Sequence, residues 1–260
     1  MSLPVLMYHA VGTAMPASLA DLTVPPALLA EQLGALHDAG YALLGLSEAL
    51  AAHDRGRLVV GLTFDDGYAD FAEHAVGVLA GAAASATLYV PTRDLGGTAS
   101  WLPGEAGRLP LLGRSDLVDL AAAGVEIGSH GAQHVPMDVL PAAVAAAHLG
   151  ESRTVLEDVV QQPVTSFCYP HGYHAPRLRR QVAAAGYDHA CAIGHRLHGA
   201  GEDRLRISRL HVRADHDPTT LLDLVVGGPR GLLPLVKRAA TPAWRVARRT
   251  ALRTTGTTWT

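Results

Sequence analysis

Thr63-Phe64-Asp65-Asp66-Gly67 closes the apolar run Leu58-Val59-Val60-Gly61-Leu62, and the chain is best read outward from there. The run reads as a buried strand. Adjacent residues leaving a strand point apart, so two neighbouring carboxylates are free to serve different purposes. An Asp-Asp-Gly alone is ordinary turn chemistry, because both acids tolerate turn geometry and glycine supplies positive φ. Its weight here comes from a second strand-like run, Val125-Glu126-Ile127-Gly128-Ser129-His130-Gly131-Ala132-Gln133-His134, which ends in two histidines with three residues between them. One carboxylate and two imidazoles form a three-ligand set that leaves a zinc-like ion a position for water. The other aspartate is then the base for that water. Both motifs follow the carboxyl ends of apolar strands, where alternating strand–helix folds gather their active sites.

The rest of the chain alternates in the same way. Strands are expected over residues 5–9, 41–46, 58–64, 85–90, 125–128, 165–169, 187–193 and 205–212. Helices are expected from Ala27 to Ala39 behind Pro25-Pro26, from Ser47 as cap to His53, from Ala69 to Leu79, from Asp116 to Ala123 behind a Ser115 cap, and from Ala142 to Val160. Repeated βα units with right-handed crossovers give an α/β fold, an irregular (β/α) barrel of seven or eight strands in a single domain. The stretch Pro91 to Gly113 is too long for a mere connector and carries Trp101, which either stacks on the substrate or anchors the loop to the core.

At 260 residues and 48% hydrophobic content the chain buries a sizeable core. Two cysteines, Cys168 and Cys191, make no disulfide framework and read as buried free thiols. The chain enters its first strand directly after Met1-Ser2-Leu3-Pro4, so no signal peptide is expected, and neither is a membrane span. The expected address is cytoplasmic, peripheral to a membrane at most, and no nucleic-acid partner is expected.

These residues carry a family resemblance. Thr63-Phe64-Asp65-Asp66-Gly67 and Ser129-His130 through His134 resemble the first two motifs of the polysaccharide deacetylases, metal-dependent carbohydrate esterases built on an irregular (β/α) barrel of seven or eight strands. Phe167-Cys168-Tyr169-Pro170-His171-Gly172 is similar to the branch with Tyr-Pro-x-Gly as third motif, and the likeness runs from about Pro4 to Val226. Better-known members place an arginine where Cys168 stands, to brace the catalytic aspartate; Arg209 is the candidate substitute. The resemblance implies Asp66, His130 and His134 as metal ligands and Asp65 as base. It implies the His171 backbone N–H, after Tyr169-Pro170, as donor to the oxyanion. His9, in Met7-Tyr8-His9, is the expected general acid in preference to His211. Zinc is the first expectation for the ion, with cobalt or nickel as substitutes. The implied reaction removes an N-acetyl group from an amino sugar or glycan. Hydrolysis of another C–N bond on the same fold, as by a deformylase or cyclic amidase, is the nearest alternative, and an inactive glycan-binding module a further one.

The end of the chain differs in charge. Seven of the 21 Lys+Arg follow Asp223 and none of the 24 acids does, so the total of −3 divides into −10 and +7. A catalytic domain over 1–226 and a basic amphipathic tail over 227–260 are expected. On a helix, Leu232, Leu233, Leu235, Val236, Trp244, Val246 and Ala247 share one half with alanines, while Lys237, Arg238, Arg245, Arg248 and Arg249 share the other, with Pro242 as a kink. Such a helix either rests on an anionic membrane surface or docks its apolar side on the barrel.

Overall fold

The structure is a computed structural model that describes residues 2–229, 244–252 and 254. Its strands are β1 (Val5–Tyr8), β2 (Ala10–Val11), β3 (Thr23–Val24), β4 (Ala42–Leu44), β5 (Val59–Phe64), β6 (Thr87–Val90), β7 (Glu126–Ser129), β8 (Ser166–Cys168), β9 (His189–Cys191) and β10 (Leu210–His211). Its principal helices are α1 (Pro26–Asp38), α2 (Leu46–Asp54), α3 (Val76–Gly81), α4 (Arg114–Ala122), α5 (Ala142–Val160), α6 (Pro176–Ala184) and α7 (Pro218–Gly227). Eight strands form one parallel sheet in the order β10-β1-β5-β6-β7-β8-β9, with β4 pairing the first half of β5 and β6 the second. The sheet curls into an irregular barrel in a single domain, as expected. Ile207, three residues before β10, pairs with β9 through two 2.8 Å backbone hydrogen bonds and brings the two ends of the sheet together. β2 and β3 form a separate small ribbon.

β5 is buried over its whole length, which is why its sequence is a continuous apolar run rather than an alternation. Its residues nonetheless divide by face. Val60, Leu62 and Phe64 join the large cluster beneath the outer helices, whereas Val59 joins an inner cluster with Val5, Leu46, Tyr89, Cys168, Cys191 and Ile207. Gly61 faces Val5 and Ala49 on that inner side. Continuing the period of two, Thr63 and Asp65 point inward at the carboxyl end. Gly128 has a specific steric reason: a Cβ there would lie 2.5 Å from the Tyr89 ring, which fills the barrel interior. Both cysteines are free and buried, as expected.

Element ends depart from the sequence reading where distant side chains supply the caps. Gly45, not Ser47, precedes α2; its N–H donates to Ser85 Oγ, the Leu46 N–H to Thr87 Oγ1 and the Ser47 N–H to Glu126 Oε2. The Ser47 hydroxyl is itself held by Glu126. At α4 the cap is local instead: the helix starts after Gly113, whose N–H donates to the Asp116 carboxylate at 2.7 Å, so Ser115 is inside the helix. The expected helix from Ala69 begins with a π-helical turn over Phe71–Ala75 before α3. The last expected strand shrinks to Leu210–His211, with a 3₁₀ turn at Arg204–Arg206. Among the described residues, no helix is long and apolar enough to cross a membrane.

Candidate active site

The two acids at the end of β5 diverge because Asp66 and Gly67 both take the left-handed conformation, at φ 75° and 69°. A non-glycine residue there is strained and persists only where its surroundings hold it. Asp65 keeps the inward direction of the strand and meets Arg209, which is fully buried in the barrel. NH1 and NH2 of Arg209 donate to Oδ1 and Oδ2 of Asp65, both at 2.7 Å. The same guanidinium reaches Thr63 Oγ1 at 3.0 Å, Ala192 O at 3.2 Å and Cys168 Sγ at 3.1 Å. Burial alone raises the Asp65 carboxyl, but Arg209, helped by His130 and His9, more than offsets it and holds Asp65 below the ordinary carboxylate range. Arg209 therefore supplies, from the segment before β10, a cation where the third motif has Cys168.

Asp66 is turned toward the histidines. Its Oδ1 lies 3.3 Å from Nε2 of His130 and 3.3 Å from Nε2 of His134. That oxygen is buried without a hydrogen-bond partner, whereas Oδ2 accepts from the Tyr68 hydroxyl at 3.0 Å. Nδ1 of His130 faces the Cys168 carbonyl at 2.8 Å and must carry a proton to donate there, so in the neutral ring Nε2, on the Asp66 side, keeps the lone pair. Asp66, His130 and His134 thus converge as one oxygen and two nitrogen donors. A second convergent group, Asp65, His130 and Cys168, is a poor donor set, because Arg209 occupies both Asp65 oxygens and burial pushes the Cys168 thiol well above its usual range.

Rings wall the site. His171 stands edge-on to His134, with centroids 4.4 Å apart, and Trp101 stacks on His134 at 5.0 Å and 28°. Trp101 thereby fastens its loop to the site. His171 has φ 57° and Gly172 φ 68°, and burial lowers the His171 imidazole to about 3. Tyr169 is turned away, donating its hydroxyl to Leu205 O at 2.9 Å, and Pro170 starts the short turn that presents His171. His9 and His211 approach to 5.4 Å between ring centroids. Burial lowers His9, against an upward pull from Asp66 and Asp65; His211 is lowered to about 3 by burial and then by His9. His9 is thus the one of the two that the paired acids act on.

Sequence reasoning did not single out Tyr68, which orients Asp66, or Asp138, a fully buried carboxylate four residues beyond His134. Tyr68 sits directly after the Asp-Asp-Gly turn, a detectable signal; Asp138 carries none, since its partners come from the far end of the chain. Residues 244–252 are helical and dock there. Arg248 and Arg245 turn inward to Asp138, while Trp244 and Val246 are 37% and 64% exposed. This is the reverse of an apolar side docked on the barrel, because a buried carboxylate demands cations more strongly than the body demands two more apolar side chains. Lys237, Arg238, Leu232, Leu233, Leu235, Val236 and the Pro242 kink lie outside the described residues.

A family model described as polysaccharide deacetylase matches residues 52–190, more than half of the chain. Among curated proteins, the candidate polysaccharide deacetylase YxkH of Bacillus subtilis (strain 168) is 25% identical over 189 residues, which cover 71% of this chain and 62% of that protein. Solved structures with a similar fold include the Streptococcus pyogenes deacetylase PplD in complex with acetate, with TM-score 0.75 and 24% identity over 86% of this chain and 98% of that one. IcaB from Ammonifex degensii has TM-score 0.72 and 21% identity, over 86% and 96% of the two chains.

Proposed function

The chain belongs to the polysaccharide deacetylase family, and on that premise we propose that it is a metal-dependent hydrolase that removes the acetyl group from an N-acetylated sugar. The observation that carries the reading is the division of labour at the end of β5: one carboxylate is paired with an arginine, and its neighbour is aimed with two imidazoles at a common point.

The donor set fits a divalent cation. Asp66 Oδ1 is buried and without a hydrogen-bond partner, the neutral His130 ring offers Nε2 as a lone-pair donor because Nδ1 is committed to the Cys168 carbonyl, and both Nε2 atoms face that oxygen. Asp66, His130 and His134 would hold the ion, with zinc the first choice for two nitrogens and one oxygen. When bound, such a cation acidifies water and polarises an amide carbonyl. The protein's own residues do the rest. Asp65, kept ionised by Arg209, accepts a proton from water. The His171 N–H donates to the carbonyl oxygen as it gains negative charge. His9 gives a proton to the departing nitrogen, and its lowered imidazole makes the protonated form a stronger acid. The water oxygen bonds to the carbonyl carbon as the amide C–N bond gives way, leaving acetate and a free amino sugar.

The testing experiment offers the zinc-loaded protein short N-acetylglucosamine oligomers, carrier-linked N-acetyl sugars, and formamido and cyclic-amide analogues. Acetate release from one of the N-acetylated substrates supports the proposal. Formate release or ring opening without acetate assigns the site to another C–N bond.

A further inference from the structure

We propose that Arg248 and Asp138 are positioning residues for the reaction, so that the helix at 244–252, outside the segment that matches the family model, is a working part of the active site. The inference rests on the deacetylase reading for the role of His171.

Asp138 lies in the short turn Met137–Val139, four residues beyond His134, and is fully buried. Arg248, also fully buried, donates NH1 to Oδ1 at 2.8 Å and NH2 to Oδ2 at 3.0 Å. Arg245 adds Nε to Oδ2 at 2.9 Å. The fork geometry of two parallel N–H bonds fixes direction as well as distance. The same helix grips the loop after His171. The Arg248 guanidinium lies 3.7 Å above the Tyr173 ring, Arg245 NH2 donates to His174 O at 2.6 Å, and Trp244 Nε1 donates to the Tyr173 hydroxyl at 3.0 Å. Three residues within a span of five, Trp244, Arg245 and Arg248, therefore join the chain that follows one metal-facing histidine to the chain that follows the oxyanion donor.

That second segment needs holding. His171 is a non-glycine residue in the left-handed region, and Gly172 follows in the same region, packed so closely on Ile193 that a Cβ would lie 2.5 Å from it. Ile193 blocks the segment on one side, and the helix closes on Tyr173 and His174 just after it. Left-handed backbone at a side-chain-bearing residue survives where its neighbours over-determine it. Releasing Tyr173 frees His171 to relax, and its N–H leaves the direction that an oxyanion requires. A misplacement of about 1 Å costs roughly 100-fold in rate.

The test combines steady-state kinetics with hydrogen exchange on the full chain. Arg248→Ala should lower kcat by about 10–100-fold with KM and zinc content within about twofold of the parent. Amide exchange across 171–174 should accelerate at least about tenfold. Arg248→Lys, which keeps the charge and loses the fork, should fall between. Tyr173→Leu, which removes the ring under Arg248 without stripping a charge from Asp138, should reproduce the loss and decides the matter if Arg248→Ala fails to fold. Unchanged kcat and unchanged exchange at 171–174 in folded variants, with only a lower Tm, would overturn the proposal and leave a structural helix. If the parent releases no acetate yet its variants lose protection at 171–174, the clamp stands and the deacetylase reading falls.

Discussion

Arg209 meets both oxygens of Asp65 at 2.7 Å from inside the barrel, although 144 residues separate them in sequence. Cys168 lies against the same pair, its Sγ 3.1 Å from Arg209 NH2. One guanidinium is thus the main influence that holds this carboxyl down, and it comes from the segment before β10 rather than from the third motif.

Removing that guanidinium has two expected consequences. Arg209→Gln leaves a buried carboxylate unpaired, which costs about 3–5 kcal/mol and reads as a lower urea midpoint. Asp65 is held below its unfolded value, so its contribution to stability is present above the unfolded pKa and is lost as pH falls through the folded one. Without Arg209 burial is opposed only by the weaker pull of His130 and His9, so the carboxyl rises and the acid limb of kcat/KM should move to higher pH. An acid limb that stays where it was would mean that something other than Arg209 keeps Asp65 ionised.

His9 and His211 can be separated by leaving group. An amine must be protonated as it departs and an activated phenolate need not be, so His9→Ala should impair amide hydrolysis at least about 100-fold while sparing an aryl acetate. His211→Ala should have a smaller effect on the amide, because the paired acids act on His9. Equal losses on both substrates would make His9 structural, and the larger loss in His211→Ala would transfer the role.

Asp70 tests the electrostatics away from the chemistry. It accepts the Val11 N–H at 3.0 Å through Oδ2, its Oδ1 is buried without a hydrogen-bond partner, and burial lifts the carboxyl to about 7. Between the unfolded value and about 7 the native state holds a proton that the unfolded state has lost, so stability falls as pH rises through that window. Asp70→Asn keeps an acceptor and removes the charge. Its Tm should match the parent near pH 4 and exceed it by at least about 2 °C at pH 8. A difference that does not change with pH would place the ionised carboxylate in a better-solvated setting than its burial implies.

The barrel was legible in the sequence because strands buried on both faces leave continuous apolar runs, as Val59 to Phe64 does. The convergence of Asp66, His130 and His134 was legible from motif spacing. Helix starts were not, because the N–H groups before and within α2 are satisfied by Ser85, Thr87 and Glu126, tens of residues away, and local capping signals such as Ser47 mislead. The orientation of the terminal helix was hidden for a related reason. Its periodicity gives two faces, and only the buried Asp138 decides which of them turns inward.

The central claim divides the adjacent acids into a ligand and a base, and the most direct measurement is zinc per chain alongside acetate release in three variants. Asp66→Ala and His134→Ala should lose most bound zinc and with it turnover. Asp65→Asn should keep zinc near one per chain while acetate release falls by at least about 100-fold. Equal zinc loss in all three, or undiminished acetate release by Asp65→Asn, would contradict the account.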